Sequence, residues 1–147
     1  MLKKHLDPLR SSANALDGTR DFPVIRLAEM YLIASEAAWR QGKSSDAADY
    51  MNVLRTRAAK PGMEEEMKVA PGDIDLDFIL DERARELMGE MHRWYDLKRT
   101  GTLLERVKKY NLDAAPNIKK MHLVRPIPQT QIDRVTNPGE FRQNNGY

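Results

Sequence analysis

The sequence predicts a mostly α fold of tetratricopeptide-like helical hairpins with an irregular C-terminal tail. Three observations carry this. Apolar residues recur at three- and four-residue spacings through the segments near 23–40, 44–58 and 75–91. Helix-stopping residues separate these segments: Gly42, Pro61-Gly62 and Gly101. From Asn111 onward the periodicity gives way to irregular chain. The 147 residues fit one domain, divided into an extended lead-in over 1–20, a helical part over 21–110 and an irregular tail over 111–147.

The lead-in has few periodic apolar positions and contains the turn-forming pairs Asp7-Pro8 and Asp17-Gly18. Asp21 suits the cap of a helix starting near Pro23, since proline is tolerated in a first turn. Val24, Leu27, Ala28, Tyr31, Leu32, Ser35, Ala38 and Trp39 then mark its buried face, and Gly42 ends it. Ser44 or Ser45 opens a second helix through Met51, Leu54 and Ala58, stopped by Pro61-Gly62. The short connection makes the pair antiparallel. Its span is close to the tetratricopeptide unit of about 34 residues, with the small residues Ser35 and Ala47 set where the two helices cross. One clear copy of the unit is present, and a lone pair needs neighbours to cover both faces.

A charged loop from Lys60 to Asp73 leads to a third helix, from Asp75 or Leu76 to Met91, with Leu80, Ala84, Leu87, Met88 and Met91 along one stripe. A short amphipathic turn reaches Thr100, Gly101 caps it, and Thr102–Tyr110 is helical again. In the tail, His122-Leu123-Val124 is expected to be extended, and Gln129 to Val135 to form one or two helical turns.

The third helix carries the most informative residues. Glu82, Glu86 and Glu90 stand four residues apart and repel one another by a few tenths of a kcal/mol per pair. Such a row calls for cations from elsewhere, and Arg93, Lys98 and Arg99 follow directly. Arg83 sits at the edge of the apolar stripe, where a guanidinium is costly unless carboxylates meet it. The expectation is a largely buried ionic hub of Glu82, Arg83, Glu86, Arg93, Asp96 and Arg99 that locks helices together.

These residues also carry a resemblance. Glu82-Arg83-x-x-Glu86-Leu87 followed by Arg93-Trp94-x-Asp96-Leu97-x-Arg99-x-Gly101 resembles the signature of the SusD/RagB family of outer-membrane nutrient-binding lipoproteins. Three further pieces match in order: Asp21 to Ala37, Asn52 to Ala58, and Pro126-Ile127-Pro128 with Gln143 to Tyr147. Ala84 stands where a second arginine is common, Met91 where glycine is common, and Asn145 where proline is common. The resemblance implies the helical fold above and cell-surface capture of glycans or other nutrients. It implies delivery to a TonB-dependent SusC-like transporter as partner, at the outer membrane of a Bacteroidetes-type bacterium, with no cofactor. It supplies no ligand-contacting residue for this chain. Full members are longer and lipid-anchored through a cysteine. This chain has none, so it is expected to be a C-terminal portion whose uncovered apolar face favours a homodimer.

Composition and motifs bound the alternatives. Acids and bases are interleaved at a net charge of +2, which argues against a nucleic-acid groove. No apolar stretch approaches the roughly 18 residues of a membrane span, and Met1 to Pro8 begins like a secretory leader without the apolar run. With no cysteine, disulfides and thiol chemistry are excluded. His5, His92 and His122 lack metal-ligand spacing. Asp73-x-Asp75-x-Asp77 opens like a calcium loop, but Phe78 and Ala84 occupy the positions that need glycine and glutamate, so helix capping explains the acids better. Glu82, Glu86 and Asp96 lie among arginines, which lower carboxylate pKa values when a general acid needs the opposite. A glycoside-processing enzyme is therefore disfavoured. Trp39, Trp94, Tyr31, Tyr50, Tyr95 and Tyr110 are better explained by core packing on helix faces than by stacking on sugars. The remaining rival is a tetratricopeptide-like protein–protein interaction module, which would need more repeated pairs than the one visible.

Overall fold

The computed structural model describes residues 4–12, 14–137 and 139–147. Residues 1–3, the first part of the leader-like start, lie outside them. Among the described residues the secondary structure is entirely helical: α1 (Leu27–Arg40), α2 (Ser44–Ala58), α3 (Leu76–Glu86), α4 (Arg93–Arg99), α5 (Leu103–Tyr110) and α6 (Gln129–Ile132), with 3-10 turns at Pro71–Asp73 and Lys120–Leu123. The chain folds as two compact units, Met1–Arg93 and Trp94–Tyr147.

In the first unit α1 and α2 form the hairpin. Gly42, at φ 74, turns the chain, and the Lys43 amide donates to the Ala38 carbonyl at 3.0 Å to close the end of α1. The helices approach closely where Ser35, fully buried, donates from Oγ to the Ala47 carbonyl at 2.8 Å. Ala28, Leu32, Ala47, Ala48, Met51 and Leu54 share a core with Val69, Ile74, Ile79 and Leu87, with Tyr31, Trp39 and Phe78 packed against it. The loop after α2 is fastened to that helix: the Asn52 amide both donates to and accepts from the Val69 backbone, at 3.1 and 2.8 Å. Asp75 caps α3, accepting from the Phe78 amide at 2.7 Å, as its position in the acidic run suggests.

Both ends of the expected helix boundaries need correction. Helix α1 begins at Leu27, not near Pro23, and Asp21 does not cap it. Arg26 holds the N-cap in extended conformation, without a side-chain cap. Val24 is therefore 75% exposed and Leu27 also lies outside the core. Helix α3 ends at Glu86, five residues before the expected Met91. The chain then passes through Gly89 at φ 82 and Met91 at φ 64, both left-handed. Met88 and Met91, expected on the buried stripe, are consequently exposed, Met91 at 79%.

Met91 stands where the resembling family commonly has glycine, and the backbone shows why glycine suits the site. A side chain in the left-handed region costs roughly 1–2 kcal/mol. Met91→Gly is expected to stabilise the protein by about 1 kcal/mol after the entropy cost of glycine, measured as a rise in the denaturant midpoint at unchanged slope. An unchanged or lowered midpoint would show that Met91 contributes contacts worth the strain.

In the second unit Gly101, at φ 73, ends α4, with the Thr102 amide on the Leu97 carbonyl at 3.0 Å. Leu97 and Leu103 are its buried apolar side chains. The tail is irregular but pinned. Ile127 lies between two prolines that lack amide hydrogens, and the Gln143 side chain accepts from its amide at 2.7 Å and donates to its carbonyl at 2.9 Å. The Tyr147 hydroxyl donates to the Val124 carbonyl at 2.9 Å. His122 and Leu123 form a 3-10 turn instead of the expected extended piece.

Candidate functional site

The carboxylate row of the first unit is held by cations drawn from distant parts of the chain. Glu82 receives Arg55 of α2 and Arg85 of its own helix, each at 2.7 Å. Glu86 receives Arg26 at 2.6 Å and Arg57 at 2.8 Å. Arg26 also donates from Nη2 to the Glu86 carbonyl at 2.6 Å, covering a backbone acceptor left open at the helix end. Glu90, past the end of α3, receives Arg26 Nε at 2.8 Å and Lys4 Nζ at 2.6 Å, and its side chain is only 1% exposed. The extended backbone at Arg26 is what allows one guanidinium to span both carboxylates.

The six residues expected to form the hub are placed as follows. Arg83 is buried, with Nη2 at 3.8 Å from Glu29 of α1; the same Glu29 oxygen lies 3.4 Å from His92 Nδ1. Glu82 is buried, and Arg93 donates to the Leu80 carbonyl at 2.7 Å. Asp96 and Arg99 belong to the second unit, where they pair at 3.0 Å within α4; Asp96 is buried and the Arg99 side chain is 42% exposed. Arg26, Arg55, Arg57, Glu29 and Lys4 are members that the local pattern did not reveal, because helical spacing says nothing about which remote segment supplies a counter-charge.

Electrostatics follow the geometry. Burial pushes the Glu90 carboxyl up, but the hydrogen bonds and charges of Arg26 and Lys4 together outweigh it and bring it down to about 2. Arg26 is held above its ordinary value, chiefly by its hydrogen bond to Glu90. Asp7 in the lead-in is lowered by the backbone amides of Leu9 and Thr19. A carboxylate shifted this way stays ionised and cannot supply a proton at neutral pH.

The aromatic residues divide. Tyr31 and Trp39 pack on the core, but Tyr50, Tyr95 and Tyr110 are exposed, which corrects the expectation that core packing explains most of them. Arg106 and Lys109 lie over the Tyr110 ring, and Arg125 over Trp94. Beside the Arg26–Glu90 pair the lead-in encloses an open recess of about 610 Å³. No helix among the described residues is long and apolar enough to cross a membrane.

A hairpin of tetratricopeptide length, an ion-paired carboxylate row and a pinned irregular tail define an all-helical, tetratricopeptide-like class of protein. The chain belongs to the SusD family, whose model matches residues 1–147. It is 37% identical over 129 residues to SusD-like protein P25 of Formosa agariphila, covering 84% of this chain and 24% of that protein. It is 31% identical over 140 residues to SusD-like protein P2 of the same organism, covering 91% and 27%. The starch-binding protein SusD of Bacteroides thetaiotaomicron is 33% identical over 138 residues, covering 86% and 22%. The chain thus spans about a quarter of the length of these relatives.

Proposed function

We propose that this chain is the helical portion of a cell-surface protein that captures glycans or other nutrients, without catalysis, and hands them to a TonB-dependent SusC-like transporter in the outer membrane. The observation that carries the reading is the family match over residues 1–147, beside the 33% identity to a relative named for starch binding. The state of the carboxylates supports its non-catalytic part. Glu82, Glu86 and Glu90 are engaged by guanidinium or ammonium groups within 2.8 Å, and Glu90 is held near 2. Neither a general acid nor a free nucleophile is left in the row.

The test has two parts. A protein carrying this chain within the full length seen in its relatives should copurify with a SusC-like transporter and be retained on a polysaccharide matrix, releasing no reducing sugar. Retention without transporter, or sugar release, would overturn the corresponding half. This chain alone should bind oligosaccharides no tighter than about millimolar in calorimetry, since one or two exposed aromatic stacks supply only about −4 kcal/mol. A micromolar complex would show that the chain contains a main binding site.

A further inference from the structure

The open recess in the first unit combines features that the ionic row does not use. His5 and Phe22 line it and stack on one another with ring centroids 5.5 Å apart and planes inclined by 21°, and Phe22 remains 49% exposed. Leu16, fully exposed, adds an apolar group at its edge. Arg10 and Asp21 line the same recess and have no hydrogen-bond or ion-pair partner among the described residues. Arg20 spends one guanidinium nitrogen on the Leu6 carbonyl at 2.9 Å, which leaves its other N–H groups available. The two remaining acids of the lining are already engaged: Asp7 accepts from the amides of Leu9, Thr19 and Arg20, and Glu90 holds Arg26 and Lys4.

What is left facing the space is two guanidiniums, one carboxylate and an aromatic–aliphatic edge. A neutral sugar would pack on the ring and leave the guanidiniums without an anion. Free phosphate would pair with the guanidiniums and leave the ring bare. A sugar bearing a carboxylate satisfies both, with its C–H face on Phe22, its carboxylate forked by an arginine, and its hydroxyls donating to Asp21. The volume lies in the ordinary range of small-molecule sites, roughly 300–1,000 Å³. We infer that the recess is a subsite for a uronic acid unit of an acidic polysaccharide. This rests on the glycan-capture reading and specifies its ligand.

The experiment is an amide NMR titration of the 147-residue chain with a uronate trisaccharide and with its carboxyl-reduced, neutral counterpart. The acidic sugar should perturb residues 5, 10, 16 and 20–22, with millimolar affinity that falls as salt is added. The neutral form should bind at least several-fold more weakly. Arg10→Ala, at a side chain with no hydrogen-bond or ion-pair partner among the described residues, should weaken the uronate about tenfold, the worth of one charge-assisted hydrogen bond. Arg10→Lys should recover part of that loss, whereas unaltered affinity in Arg10→Ala overturns the assignment. Equal binding of both sugars at these residues overturns the acidic specificity and leaves glycan capture standing. Silence from both sugars overturns the recess. The broader reading fails separately, if the protein of full family length retains no polysaccharide.

Discussion

Replacing Arg83 by alanine is expected to lower the melting temperature by roughly 10 °C or more. The Arg83 side chain is 3% exposed and approaches Glu29, itself 13% exposed, at 3.8 Å. Glu29 also lies 3.4 Å from His92 Nδ1, and its carboxylate is largely shielded from water beside the arginine. Removing one partner of such a pair costs about 3–5 kcal/mol, because the remaining charge stays buried without compensation. Domains are stable by only about 5–15 kcal/mol, and at this chain length each kcal/mol moves the midpoint by a few degrees. Calorimetry of three variants separates charge from volume. Arg83→Met keeps the side chain's length and should lose nearly as much as Arg83→Ala. Joining Arg83→Met to Glu29→Met should regain much of the loss, because two apolar groups replace two charges. If Arg83→Met alone restores the wild-type midpoint, the arginine acts through packing and the electrostatic account is wrong.

Acid should destabilise the protein through Glu90, over a window set by its shift. Its carboxyl titrates near 4.5 in the unfolded chain and at about 2 in the folded one. A folded value below the unfolded one means the folded state favours the ionised form. The associated stability is complete above pH about 4.5, then falls progressively as pH drops toward 2. For a side chain only 1% exposed, the shift corresponds to roughly 3 kcal/mol. Urea denaturation from pH 7 to 2.5 should show this slope, and Glu90→Gln should flatten it while lowering stability at neutral pH. Asp7 is shifted in the same direction by the amides of Leu9 and Thr19, so a residual slope should survive in Glu90→Gln. Arg26→Ala removes the larger of the two cationic partners and should move the Glu90 transition to higher pH. An acid limb identical in wild type and Glu90→Gln would refute the assignment.

The parts of the fold that the sequence discloses are those decided within a few residues. Gly42 and Gly101 end helices because their backbones are left-handed, and Asp75 caps α3 because a carboxylate reaches an amide three residues on. Ser35 and Ala47 mark the hairpin crossing because only small side chains fit there. The end of α3 escaped because apolar spacing continues through Leu87, Met88 and Met91, whereas the backbone turns at Gly89. The substitution of Met91 for a common glycine was the available hint of that turn. The start of α1 escaped for a different reason. Arg26 stays extended to reach Glu86 and Glu90, residues 60 and 64 positions away, and no local pattern encodes that distance. The recess is similarly non-local, since His5 and Phe22 stack although 17 positions apart, with a lead-in between them that reads only as extended chain and turns.

The reach of Arg26 and Lys4 has a kinetic consequence. The Ser35–Ala47 contact closes a segment of 12 residues, but the bonds from Arg26 and Lys4 to Glu86 and Glu90 close segments of 60 to 86. Loop-closure entropy rises with length, so the hairpin is positioned to form first and the lead-in to dock onto a surface already built. Interactions absent from the folding transition state govern how fast a protein opens rather than how fast it forms. In this molecule the charged clasp at Glu90 would therefore act as a latch: its loss in Glu90→Gln should appear as faster unfolding, with the rate of folding nearly untouched.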